Sequence, residues 1–415
     1  MSETELLPSR VDPGARSDRR RRRSLRRKLV GAVAAGVPII VIVIVLITQL
    51  GGGRTPAAAP RPVGNDAEGG QVTYLLVGTR AGDDSGQADW LSVMAIDRQG
   101  RTPITMFIPT ATLTEIPGYG YDSIGKAMAL GRVPLQEITV ENMLGIQIDH
   151  TMLVPDSLLS HLVDRAGGVE VTVKKPLLAP QGADRLVPVF QPGAQRLDGG
   201  KAVRYIEFQG PGEDELARFE RAQTLWEALY SKFEGKDGAK LGSIIEGFGG
   251  DLVTDAPPAE VGAFFAAFAG AGAAARSYEP LPVEAVGSGG SEDAFRVKQE
   301  ELDARIASQF DASRPAAAPG RGARVQILNG NGQPEIGLAV ATVLVPAGFR
   351  IADTGNASSF TFKRTRIVVY SDADLAIAQR IRSLLGLGDI EIGRTRQTIV
   401  DVTIVVGRDY AARKQ

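Results

Sequence analysis

The chain has 415 residues, a formal net charge of −1, two histidines and no cysteine. Disulfides, thiol nucleophiles and cysteine-ligated zinc are therefore excluded, and His150 and His161 alone cannot make a histidine-rich metal site. Residues 1–28 carry ten basic and four acidic side chains, which leaves −7 on the remainder and denies it the basic footprint that nucleic-acid binding needs.

Arg19 to Lys28 runs directly into the apolar stretch Leu29 to Leu50, long enough to cross a hydrocarbon core roughly 30 Å thick. A cleaved signal peptide has a shorter apolar region, about 7 to 15 residues, than the one here. The pattern predicts a basic cytoplasmic tail over residues 1–28 and a single transmembrane helix over residues 29–50. Because arginines beside a span stay inside, the rest of the chain is expected outside: a single-pass cell-membrane protein with its C-terminus extracellular. Residues 51–70, rich in Gly, Pro and Ala, read as a stalk. A similar stretch at residues 311–322 reads as a linker between domains over 71–310 and 323–412, and its composition predicts a weak interface between them.

Within the first domain, Val72–Val77, Leu91–Ile96 and Ile104–Ile108 read as strands. Glu137–Leu144 and Ser157–Arg165 have helical patterning, with a short strand at Met152–Val154 between them. Val169–Val173 alternates as a strand. Leu216, Phe219, Trp226, Leu229 and Phe233 fall on one stripe of a helix over Asp214–Phe233. Interleaved strands and helices indicate an α/β or α+β sandwich. The last domain reads as strand, Gly-rich turn, helix, strand, helix and closing strand, a small α/β unit. Its Asn329-Gly330-Asn331-Gly332 segment is either a tight turn or a backbone cradle for phosphate.

Several phrases then accumulate in order: Tyr74-Leu75-Leu76-Val77-Gly78, Ala88-Asp89-Trp90, Ile116-Pro117-Gly118-Tyr119-Gly120-Tyr121, Val140-Glu141-Asn142-Met143-Leu144-Gly145, Val163-Asp164-Arg165-Ala166-Gly167-Gly168-Val169 and Ala217-Arg218-Phe219-Glu220-Arg221. From Tyr74 to Phe233 the chain resembles the LytR-CpsA-Psr family of cell-envelope proteins, and residues 323–412 resemble that family's accessory C-terminal domain. The resemblance implies a membrane-anchored, outward-facing fold that transfers glycopolymers from polyprenyl-pyrophosphate carriers to peptidoglycan. The polyprenyl tail would lie in an apolar tunnel, with arginines and an aspartate-held magnesium on the pyrophosphate.

At the decisive positions the chain departs from that pattern. Arg80 stands where the family has an aspartate, Gln87 where it has an arginine, Thr110-Ala111 where it has Arg-Asp, and Glu207 and Gln209 where it has two arginines. Asp89, Arg218 and Arg221 are retained, with Glu215 in place of an aspartate. The pyrophosphate-binding candidates are therefore Arg80, Asp89, Arg218 and Arg221, with no catalytic residue and no metal ligand assigned. Each has a plainer reading: Arg80 as a solvated residue paired in the Gly82-Asp83-Asp84 loop, Asp89 as a turn residue, and Arg218 and Arg221 as an ordinary polar face with Glu215 and Glu220. Since loss of one preorganised charge stabiliser typically costs about 100- to 1000-fold in rate, the expected function is a non-catalytic binding or scaffold protein of cell-wall biogenesis without a cofactor. The alternative is an active phosphotransferase, which would need magnesium. Expected partners are membrane lipid, polyprenyl (pyro)phosphate or its linked glycan, and peptidoglycan or envelope proteins.

Overall fold

Val72 to Val77 is apolar at nearly every position, so a strand there needs cover on both faces. The computed structural model describes residues 70–412, except 81, 84, 98–101, 183, 184, 250, 251, 288–293 and 396–398, and it provides that cover. The segments expected to be a cytoplasmic tail and a transmembrane helix, and all but the last residue of the expected stalk, lie outside the described residues. Strands β1 (Gln71–Thr79), β2 (Trp90–Asp97), β3 (Ile104–Ile108), β4 (His150–Pro155), β5 (Val253–Thr254) and β6 (Ser277–Pro280) form one mixed sheet in the order β5-β4-β1-β2-β3-β6. β1 is antiparallel to β2 and parallel to β4.

Side chains alternate across this sheet. Tyr74 and Leu76 enter one apolar cluster, Leu75 and Val77 another, so the two faces carry separate cores. The helices are α1 (Lys126–Leu144), α2 (Asp156–Arg165), α3 (Gly199–Glu207), α4 (Ala217–Phe233), α5 (Gly238–Glu246), α6 (Pro258–Gly270) and α7 (Gln299–Gln309). α2 to α6 cover the first face; α1 and α7 cover the second. The result is the expected α/β sandwich with three layers.

Helix α1 starts 11 residues before the patterning indicated, because it runs through a break at Gly131 and Arg132 ahead of Pro134. Pro134 has no N–H to continue the ladder. Gln136, fully buried, ties the second segment to the start of the first: its amide accepts from the Met128 N–H and donates to the Ile124 carbonyl.

The C-terminal domain contains β7 (Arg324–Asn329), β8 (Arg350–Asn356), β9 (Arg366–Val369), β10 (Asp389–Ile392) and β11 (Val402–Val406), in the order β8-β7-β11-β9-β10, with α8 (Ile336–Leu344) and α9 (Leu375–Leu385). The Asn329 carboxamide accepts from the Asn331 and Gly332 N–H groups, and the Gly330 N–H goes to the Val406 carbonyl. These donors are spent within the turn, so the phosphate-cradle reading of this segment fails.

The expectation of a weak interface also fails. The edge of β8 is closed by α1: the buried Asn142 carboxamide donates to the Ile351 carbonyl at 2.9 Å and accepts from the Ile351 N–H at 2.7 Å. Arg350 donates to the Asn142 and Met143 carbonyls. Gly145, at φ 69, ends α1 with its Cα beside that guanidinium; a Cβ there would stand 2.9 Å from Arg350 Nη2. The Ile116–Gly120 turn sits on the same domain, with Ile116 fully buried and Gly118 donating to Thr354. Ile116, Ala127, Leu135 and Ile138 share one apolar cluster with Val325, Val340 and Phe349. Composition of the linker was a poor guide because the contacts are made by other residues.

Two consequences can be measured. Asn142→Ala strands a buried N–H and a buried C=O on Ile351, each costing about 1–3 kcal/mol. It should expose residues 310–322 to protease while the wild-type chain resists. Glu115 is buried at the same interface, where Thr354 donates to it, and burial pushes its carboxyl up to about 7 from an ordinary 4.5. The folded state thus keeps this proton at pH values where the unfolded chain has lost it. The stabilisation is fully present below 4.5 and is lost as pH rises through about 7. Glu115→Gln should melt higher than wild type at about pH 8 and equal it at about pH 4; a parallel pH dependence in the two proteins would contradict this assignment.

Candidate functional site

β1 and β4 run parallel, and a cleft of ≈ 300 Å³ lies past the end of β1, lined by Arg80, Asp89, Thr110, Glu215 and Arg218 among others. Local packing fixes its floor. The Asp89 N–H bonds the Gly78 carbonyl at 2.8 Å, and Gly78 lies so near the Trp90 indole that a Cβ would come within 2.0 Å of it. Asp89 is thereby held at the junction of β1 and β2.

Its carboxylate takes two arginines. Arg80 Nη2 donates to Asp89 Oδ1 at 2.6 Å, and Arg218 Nη2 donates to Oδ2 at 2.7 Å. Arg80 also bonds Glu207 at 3.0 Å. Burial pulls the Arg80 guanidinium down, but Asp89 and Glu207 outweigh it and hold it above its ordinary value. Burial, with repulsion from Asp156, raises Glu207 despite Arg80. Arg218 is 7 % exposed and further donates to the Ile206 and Asp89 carbonyls. Its α4 neighbour Arg221, 6 % exposed, turns away to Glu213 and the Phe208 carbonyl. Burial lowers it.

Three of the four candidate residues therefore meet, and Arg221 does not. The polar-face reading of the α4 arginines fails because both are buried. Glu220 alone fits it, exposed and paired with Lys174. Arg80 is paired with Asp89 and Glu207. His150 lies at the opposite end of β4, against Asp255 at 3.5 Å and Glu260 at 3.6 Å.

Glu215 has a role that sequence reasoning missed. One of its oxygens accepts from Thr110 N–H (2.6 Å) and hydroxyl (2.9 Å), the other from the Ala111 N–H (3.2 Å). Burial raises its pKa against those bonds. The substituted pair Thr110-Ala111 thus offers donors that bind up the carboxylate. Glu207 and Glu213 were missed as arginine partners too: Glu207 lies 127 residues from Arg80, and Glu213, eight residues before Arg221, sits in the loop ahead of α4, where no periodicity places it.

The same donor set tests whether a magnesium fits. Both oxygens of Asp89 accept from guanidinium groups and both of Glu215 accept from Thr110 and Ala111, and among the described residues no three carboxylates or histidines are grouped to hold a metal ion. The residues present do not fit the metal. The charge of the lining bears on an anion instead: two cations, Arg80 and Arg218, stand against Asp83, Asp89, Asp214 and Glu215.

Behind Arg218 the lining turns apolar. A small cavity of ≈ 20 Å³ is bounded by Arg218, Trp90, Phe107, Leu159 and Trp226. Leu159 and Trp226 also bound a further space of ≈ 50 Å³ among α2, α4, α5 and α6, whose lining is entirely apolar apart from the Tyr230 hydroxyl. Two small spaces that share Leu159 and Trp226 thus lie on the core side of Arg218.

Breaking the Asp89 bridge should have two effects. Asp89→Ala leaves Arg218 buried without its counter-charge, a loss of about 3–5 kcal/mol in denaturant melts. It also frees both guanidinium groups, so inorganic pyrophosphate measured by calorimetry should bind the variant more tightly than wild type.

Comparison with known proteins follows this geometry. The LytR_cpsA_psr family profile matches residues 55–309, and a second, described as LytR cell envelope-related transcriptional attenuator, matches residues 322–410. The chain is 29% identical over 171 residues to a probable cell wall biosynthesis protein LcpB of Corynebacterium glutamicum, covering 41% of this chain and 40% of that protein. It is 30% identical over 168 residues to the polyisoprenyl-teichoic acid–peptidoglycan teichoic acid transferase TagT of Bacillus subtilis, covering 39% of this chain and 52% of that one. The chain therefore spans about half or less of these curated relatives. The crystal structure of B. subtilis TagV shares the fold, with a TM-score of 0.50 and 20% identity over 59% of this chain and 97% of that one.

Proposed function

Because the chain belongs to the LytR_cpsA_psr family, we propose that it is an outward-facing, membrane-anchored protein of cell-envelope biogenesis that binds a polyprenyl (pyro)phosphate lipid and does not transfer its glycan. The observation that carries the non-catalytic part is the saturation of the cleft by its own ion pairs. Phosphoryl transfer is mostly positioning and neutralisation of oxygen charge. Here Asp89 pairs with both cleft arginines, Glu207 with Arg80 as well, and Glu215 is spent on Thr110 and Ala111. An incoming pyrophosphate meets carboxylates in excess.

The apolar space behind Arg218 supports the lipid part. At about 0.8 kcal/mol per buried CH₂, a prenyl chain would find strong reason to enter it. The space of ≈ 50 Å³ holds less than two waters at about 30 Å³ each, so loading requires α5 and α6 to part from α2 and α4. The phosphate end would then lie by Arg218, which borders both the cleft and the apolar cavity.

Two measurements on the full chain test this reading. Mass spectrometry should find polyprenyl lipid co-purifying with wild type and absent from Leu159→Trp, which fills the shared wall at a packing cost of about 1–3 kcal/mol; a lipid-free wild type would sink the lipid reading. Magnesium should not stimulate phosphate release from polyprenyl pyrophosphate, and robust metal-dependent turnover would establish the phosphotransferase instead. The proposed topology predicts that a reporter joined at the C-terminus is active only outside the cytoplasm.

A further inference from the structure

A second groove, of ≈ 710 Å³, lies where the two domains meet, between the end of α1, the linker and β8. Five guanidinium groups line it: Arg296, Arg314, Arg321, Arg324 and Arg350. Among the described residues, two carboxylates, Glu115 and Asp303, share that lining. Burial raises the Glu115 pKa to about 7, which reduces its charge.

The arginines are held, but from outside the groove. Arg296 meets Glu284 at 3.5 Å, Arg314 meets Asp311 at 3.2 Å and Arg324 meets Asp401 at 2.9 Å, and none of these acids is part of the lining. Asp303 stands 3.8 Å from Arg350. Arg321 donates to the Pro315 carbonyl and has no carboxylate partner among the described residues. Pairs as exposed as Arg296–Glu284 are weak, and a guanidinium with five donors keeps some for a second acceptor. This is the reverse of the Asp89 cleft, where the carboxylates themselves form the wall.

Tyr121 also lines the groove and is 64% exposed. An exposed ring beside several guanidinium forks suits a ligand that has both an apolar ring face and oxyanions. We propose that this junction groove binds a stretch of anionic glycan, with Arg314 and Arg321 gripping its phosphate or carboxylate groups and Tyr121 stacking on a sugar ring. The site is separate from the lipid cleft and does not depend on what that cleft binds. Because both domains contribute walls, occupancy would also fasten the C-terminal domain to the first.

The test is calorimetry on the full chain with two probes, tripolyphosphate and trigalacturonate. Wild type should bind at least one, and the probe that binds tells whether phosphate or carboxylate is the recognised group. Arg314→Ala with Arg321→Ala should weaken binding about tenfold or more, while Arg314→Lys with Arg321→Lys, which keeps the charge, should restore part of it. Tyr121→Ala should weaken trigalacturonate and leave tripolyphosphate unchanged. Lys174→Ala removes an exposed charge that lines neither cleft, serves as the control and should bind as wild type does. Failure of wild type to bind either probe, or binding lost in Lys174→Ala yet intact in the Arg314/Arg321 variant, would overturn the proposal.

Discussion

Asp89 is the residue on which the site depends. One carboxylate, fixed by the Gly78 carbonyl at the join of β1 and β2, holds Arg80 from the loop and Arg218 from α4. It ties the sheet to its covering helix and at the same time pairs with the charges that a pyrophosphate would need. A cleft can keep its arginines and still be a poor anion site when the counter-ions are built into its own wall. The arrangement follows from Arg80: a cation placed beside Asp89 takes one of the oxygens that a metal would otherwise use.

The second constraint is the join between domains. β8 is an edge strand, and an uncovered edge leaves backbone groups open to other chains. Asn142 closes it with a carboxamide that both donates and accepts, a reciprocity that an apolar or a charged side chain lacks. The phrases that carried the family resemblance gain physical reasons here. Glu141 accepts from the Ile148 N–H, Asn142 clamps β8, Gly145 leaves room for Arg350, and the Ile116–Gly120 turn packs against the C-terminal domain. In the other phrase, Asp164 accepts from the Gly199 N–H, while Arg165 bonds the Ile244 and Gly247 carbonyls and lies over the Phe248 ring. These residues build the scaffold rather than perform chemistry.

Much of the first domain was legible from periodicity. The three leading strands, Val169–Val173 and the α4 stripe fall where their patterns put them, because burial on both faces demands unbroken apolar runs and burial on one face demands a stripe. The start of α1 was not legible. Gly131 and Pro134 are breakers by local chemistry, and the chain does break at Gly131 and Arg132, with the buried amide of Gln136 tying the second segment back to Met128 and Ile124.

By itself the sequence determined the family, the sandwich and the two-domain division, since all of these are written in local pattern. Tertiary structure alone decided what the remaining charges do. Whether Arg218 faces solvent, a ligand or Asp89, whether Glu215 is open to a metal or closed by Thr110 and Ala111, and whether residues 311–322 separate two domains or run along one interface are matters of pairing across more than a hundred residues of chain in the first two cases. Electrostatic and hydrogen-bond partners act over a few ångströms of space and leave no period in the sequence, so only folding reveals which acid meets which base.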